Sequence, residues 1–112
     1  MVYTIEERQP GALVVSISGR ISVENGDGVF AAVIDEALGS RPRLLTVDLA
    51  EVTGIDSCGL GELAAAYARA RREGCRLRVV HANARVMEIL RVTRLAAFLV
   101  EASPPLSDKA LA

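Results

Sequence analysis

The sequence predicts one α/β domain, a mixed sheet of four to five strands with helices packed on it. Three observations lead there. The chain has 112 residues, the size of a single ordinary core. Apolar residues make up 51% and charged residues 24%, well away from the compositions that keep a chain disordered. Runs of β-prone residues alternate with stretches of helical period, the pattern of layered α/β folds.

Residues 2–5 (Val-Tyr-Thr-Ile) form a short β-prone run, and residues 12–18 form a stronger one. Pro10-Gly11 between them is a turn signal, so the two are expected to pair as an antiparallel hairpin, with Gly19 closing the second strand. Val29, Phe30, Val33, Ile34, Ala37 and Leu38 then recur at helical spacing and make one apolar stripe. Ser22, Asn25 and Asp27 are each candidate caps for this helix, and Gly39 is expected to end it as a C′ residue.

Residues 44–49 read as a strand, apolar enough to sit centrally in a sheet covered on both faces. A loop over 51–56 leads to a second helix over 57–73, with Leu60, Leu63, Ala64, Tyr67 and Ala68 on its buried side. Gly74 ends it, and residues 76–81 form the next strand. Strand, helix and strand at this spacing make a right-handed βαβ crossover, so these two strands should be parallel. Asn83 is placed to cap a short helix carrying Val86, Ile89 and Leu90. Thr93 is expected to cap a further turn, and residues 98–100 to form an edge strand. Residues 1–102 make up the domain. Residues 103–112 read as a loose C-terminal tail, with a short helix through Leu106, Ala110 and Leu111 as an option.

Charge is distributed unevenly although the net formal charge is only −1. Residues 1–68 carry four basic and ten acidic groups, whereas residues 69–94 carry eight arginines against Glu73 and Glu88. Such polarity can mark an interaction face. The basic region lacks the interleaved aromatics of a single-strand platform and any recognition-helix motif, which argues against direct nucleic-acid binding. It reads instead as a solvated helix face with arginines available to an acidic partner.

No secretory signal opens the sequence, and the longest apolar runs, such as residues 95–100, fall far short of the ~20 residues a membrane span needs. A cytoplasmic protein without a membrane segment is the expectation. Cys58 and Cys75 flank a helix whose ends would lie about 20–25 Å apart, whereas a disulfide needs Cα atoms within about 7 Å. They are therefore expected to stay unbridged.

The segment with chemical potential is Val52-Thr53-Gly54-Ile55-Asp56-Ser57-Cys58-Gly59-Leu60-Gly61, at a transition into a helix. A helix start exposes unpaired N–H groups and the positive end of the dipole. In the simplest reading Asp56 or Ser57 caps the helix, while Gly59 and Gly61 let it approach its neighbours. In the functional reading Ser57 is a phosphoacceptor, since a phosphate of about −1.5 to −2 charge is electrostatically tolerated there.

Together with the flanking run from Leu45, the basic helix and Gly74-Cys75-Arg76-Leu77, this D-S-x-G-L motif resembles the STAS domain of anti-sigma factor antagonists. The likeness extends over nearly the whole chain. The resemblance implies a partner-switching cycle. An anti-sigma factor of the serine-kinase type phosphorylates the Ser after the motif Asp, the phosphorylated antagonist lets go, and a phosphatase resets it. By position Ser57 would be the phosphoacceptor, with Asp56, Cys58, Gly59, Leu60 and Ser22 completing the partner-binding surface.

Three departures accompany the likeness: Cys58 stands at the second motif hydroxyl, Ser22 at a customary acidic position, and Thr93-Arg94-Leu95 at a Thr-Gly-Leu. Glu51, Asp56 and Glu62 around the motif are candidates for steering a basic groove of the partner. Cys58 invites a redox reading, since a thiol at a helix N-terminus can become reactive; a small, partly buried replacement for Ser is the simpler one.

Catalytic readings find little support. Ile55 occupies the first Gly position of a G-x-S-x-G elbow, which argues against a small serine hydrolase. His81 is the only His, and with two separated Cys it makes a zinc site improbable; no metal or cofactor is expected. The alternative to a phosphorylation switch is a phosphorylation-independent STAS interaction module in a transporter-associated or multi-protein signalling assembly.

Overall fold

The computed structural model describes residues 2–22 and 28–100. Strands β1 (Val2–Gln9) and β2 (Ala12–Ile21) form the expected hairpin, with Gly11 at φ 83° in the turn, a conformation that Gly adopts without a Cβ penalty. Helix α1 (Val29–Leu38) follows, then β3 (Leu44–Ile55), α2 (Ser57–Arg72), β4 (Arg76–Val80), α3 (Ala84–Val92) and α4 (Ala96–Leu99). The described sheet has four strands in the order β1-β2-β3-β4. The first pair is antiparallel and the other two are parallel, so the β3–α2–β4 crossover is as the spacing predicts.

Alternation along the strands sends Leu13, Val15 and Ile17, then Leu45, Val47 and Leu49, then Leu77 and Val79 into one core. That core also takes Phe30, Val33, Ile34, Ala37 and Leu38 from α1, Leu63, Ala66 and Ala70 from α2, Val86 and Leu90 from α3, and Leu99 from α4. Tyr3 donates a hydroxyl hydrogen bond to Glu36 (2.8 Å), joining β1 to α1. Arg69 on α2 bridges to Asp35 on α1 at the surface, above the buried residues through which the two helices share the core.

Several expectations are corrected. β2 does not stop at Gly19. That residue, at φ 102°, sits at a register irregularity that the strand passes through to reach Ile21. β3 likewise continues through 51–55, where a loop was expected, because it pairs with the prolonged β2: Glu51 with Ser18, Val52 with Gly19, Gly54 with Arg20 and Ile55 with Ile21. Exposed Glu51 and Thr53 concealed the buried Val52, Gly54 and Ile55 from a reading by hydropathy.

Coverage of β3 on both faces does not hold either. Leu44 and Asp48 are only partly covered, and with Thr46, Arg78, Val80 and His81 they line an open hollow of about 450 Å³. Gly28 is the N-cap of α1, without a side-chain cap, so Ser22 does not cap it; Asn25 and Asp27 lie outside the described residues. Gly39 is in the right-handed region at φ −60°, and Arg41 takes the left-handed one at φ 55°.

Ala68 is exposed, and Ala66 and Ala70 take the inward positions on α2. Residues 98–100 are not a strand, since Ala96–Leu99 form α4 to bury Leu99. Thr93 does not start that turn: its hydroxyl donates back to the carbonyls of Ile89 (2.8 Å) and Leu90 (3.2 Å), closing α3, and Leu95 precedes α4. The tail 103–112 and its optional helix lie outside the described residues.

Candidate functional site

Two parallel strands, β2 and β3, end side by side, and α2 begins immediately beyond them. Crevices beyond the carboxyl ends of parallel strands are where open α/β sheets place their ligands. Asp56 is the N-cap of α2: its backbone is extended (φ −102°, ψ −177°), and its Oδ1 accepts the Gly59 N–H at 2.7 Å. The choice between Asp56 and Ser57 as cap is thus decided for Asp56. Ser57 is the first helical residue, exposed, and its hydroxyl makes no hydrogen bond among the described residues.

The end of β2 fixes this helix start. The Ile21 carbonyl accepts the Asp56 N–H at 3.2 Å. A Cβ on Gly59 would lie 2.1 Å from the same oxygen, so only Gly permits the contact. Ser22, the next residue along, is 7% exposed, so the hydroxyl at the customary acidic position is withdrawn from the surface. Sequence reasoning missed Asn83 as a part of this region. Its Oδ1 caps α3 through the Val86 N–H (2.8 Å), while its Nδ2 donates to the Val52 carbonyl (3.1 Å) near the end of β3. Only its capping role left a signal in the sequence.

Cys58 is exposed, not partly buried, and unpaired; Cys75 is buried and also free, as the helix length implies. Burial pushes the Cys75 thiol above its ordinary pKa, with the nearby Glu73 adding to the shift. Leu60 is half-buried against the core. Nothing lies within 4 Å of a Cβ built on Gly61, so that glycine does not serve close packing. Of the acidic residues near the motif, Glu51 is exposed, while Glu62 accepts the Gly28 N–H at 3.3 Å and so holds the entry to α1.

His81, in the left-handed region at φ 62°, sets its Nδ1 3.1 Å from Asp48 Oδ1, on the other side of the sheet's core residues from α2. Among the described residues no three His, Cys, Asp or Glu side chains are grouped to hold a metal. Nor is any described helix long and apolar enough to cross a membrane. What the site offers is an exposed hydroxyl at a rigidly held helix start, beside an exposed thiol and a half-buried Leu.

The comparisons with known proteins agree with this architecture. An anti-sigma factor antagonist from Mycobacterium paratuberculosis is 28% identical, with a TM-score of 0.75 over 98% of this chain and 90% of that one. The Bacillus cell fate determinant SpoIIAA in its phosphorylated form shares the fold at 11% identity and a TM-score of 0.67, covering 98% and 96% of the two chains. A sulfate transporter family protein from Wolinella succinogenes shares it at 18% identity and a TM-score of 0.69, covering 81% and 73%. No curated protein matches the sequence. The family model described as "Mlab, STAS domain" matches residues 5–101, and the chain accordingly belongs to the STAS domain family.

Proposed function

We propose that this protein is an anti-sigma factor antagonist, acting in the cytoplasm, which captures an anti-sigma factor of the serine-kinase type and releases it when Ser57 is phosphorylated. Antagonists of this family are binding proteins, not enzymes. One observation carries the reading: because Asp56 supplies the cap, the Ser57 hydroxyl is exposed and uncommitted at the first position of α2. Modification there need not break the fold, since added negative charge at a helix start is favoured by the dipole. At a protein interface the same charge opposes binding through desolvation and repulsion. A phosphatase would complete the cycle by restoring the hydroxyl.

The second reading is a phosphorylation-independent interaction module in a transporter-associated or signalling assembly. The identity of residue 22 favours it, because a Ser, itself buried, stands where an acidic side chain is customary beside the motif. Calorimetry of wild-type, Ser57→Ala and Ser57→Asp proteins with the anti-sigma factors of the source organism separates the two, with circular dichroism confirming equal folding. The switch requires Ser57→Ala to bind and Ser57→Asp to bind more weakly by more than ~1.4 kcal/mol, a tenfold change. Equal binding of both variants, or binding by neither, removes the switch and leaves the module.

A further inference from the structure

A second surface lies toward the far end of α2 from Ser57, between α2, β4 and α4. Tyr67, ten residues after Ser57, stands about 15 Å further along the helix. Its ring meets Phe98 of α4 with centroids 5.8 Å apart. Two hollows flank this aromatic pair. One, of about 200 Å³, is lined entirely by Ala64, Tyr67, Leu95, Phe98 and Leu99. The other, of about 300 Å³, adds Leu77, Arg71 and Arg76. Phe98 remains 52% exposed although Leu99 beside it is fully buried. The exposed ring is thus not required to anchor α4 to the core.

Charge specifies what would suit these hollows. Of the eight arginines in segment 69–94, Arg71 and Arg76 line these hollows, whereas Arg69 and Arg72 line a hollow beside Asp35 and Arg78 lines the one beside Asp48. Arg69 is satisfied by Asp35 and Glu73, and Arg91 by Glu88. Arg71, in contrast, reaches only the Tyr67 hydroxyl (3.4 Å) and has no carboxylate among the described residues. A guanidinium at the hydroxyl end of Tyr67, beside an apolar hollow, is suited to bidentate capture of a carboxylate next to an inserted apolar side chain. Apolar depth with a basic edge fits an acidic peptide better than a nucleic acid, which would need stacking faces along a continuous basic groove.

We propose that the Tyr67–Phe98 surface is a docking site for a short acidic segment of a second protein, anchored by one aliphatic or aromatic side chain in the hollows and held by Arg71. It is independent of the reading of Ser57, because it lies toward the other end of α2 and uses none of the residues around Ser57.

The test is selection of random peptides of about twelve residues, displayed on phage, against the full-length protein, followed by fluorescence anisotropy of the enriched peptides with wild-type, Phe98→Ala and Arg71→Glu proteins. Both substitutions are at exposed positions, and circular dichroism checks their folding. The expected peptides carry Asp or Glu on each side of an apolar residue and lose at least about tenfold in affinity to either variant, with binding that weakens as salt is added. Failure to enrich such peptides, or equal binding to wild type and both variants, overturns the proposal. Tighter binding of a single-stranded oligothymidylate to the same arginines also overturns it, as do nuclear Overhauser contacts placing residues 101–112 of the chain itself on Phe98.

Discussion

The carbonyl oxygen of Ile21 occupies the space that a side chain on Gly59 would need: a Cβ there would lie 2.1 Å from it. Because that oxygen also accepts the Asp56 N–H, the end of β2 and the first turn of α2 are held as one unit. Gly59→Ala must therefore displace backbone, and it should cost about 2–4 kcal/mol, a large effect for a single methyl group. Gly61→Ala, in open space on the exposed side of the same helix, should instead stabilise by about 0.5–1 kcal/mol. Urea unfolding of both variants checks the pair, and equal midpoints would contradict the close approach.

Asp56 and Ser57 divide the work of the helix start. Removing the Asp56 cap by Asp56→Ala should destabilise the protein by about 1 kcal/mol, and Asp56→Asn should retain most of the stability. Ser57→Ala should change stability by less than about 0.5 kcal/mol, since its hydroxyl holds nothing in the described fold. Thermal denaturation of the three variants measures this, and a larger loss for Ser57→Ala than for Asp56→Ala would reverse the assignment.

Arg94 sits at φ 66°, in the left-handed region that disfavours side chains with a Cβ. The sequence already marks the position, as an Arg within Thr93-Arg94-Leu95 where the family has Gly. Arg94→Gly should relieve about 1–2 kcal/mol of backbone strain and lose about 0.5–1 kcal/mol to the greater freedom of the unfolded chain. The net effect is a gain of up to about 1.5 kcal/mol, visible as a rise of a few degrees in Tm by calorimetry. A lowered Tm would mean that the Arg94 side chain contributes more than its backbone costs.

The two thiols should be separable by reagent and by pH. Exposed Cys58 is expected to react with iodoacetamide in the native protein while buried Cys75 does not, as mass spectrometry of the peptides can show. Resistance of native Cys58, when the denatured protein reacts at both sites, would end any redox role for it. For Cys75 the folded pKa is raised, so the native state keeps its proton where the unfolded state releases it. This contribution to stability is complete below the unfolded pKa near 9.0 and is lost as pH rises through the folded value. Cys75→Ala should flatten the alkaline decline of the urea midpoint.

Reading the sequence worked best where local chemistry and tertiary structure agree. The Pro10-Gly11 turn, the apolar stripe of α1, the Asn83 cap and the β3–α2–β4 crossover all follow from residue pattern and spacing. It failed where pairing overrode composition. Residues 51–55 look like a loop because Glu51, Thr53 and Gly54 dilute their apolar neighbours, yet β2 supplies backbone partners that keep them extended. Residues 96–99 turn helical because that geometry buries Leu99, a long-range demand with no local signature beyond apolarity.

At the candidate site the same division holds. The sequence by itself determined that Asp56 and Ser57 stand at the start of a helix, because the amphipathic run that follows them has helical period. It also placed both cysteines too far apart to bridge. Only the tertiary structure decided which of the two residues caps the helix, that Ser22 is withdrawn while Ser57 and Cys58 face outward, and that Gly59 is required by the Ile21 carbonyl. These outcomes depend on how the end of β2 meets α2, a contact between segments more than thirty residues apart. Short-range propensities do not encode such a contact; packing of the shared core brings it about.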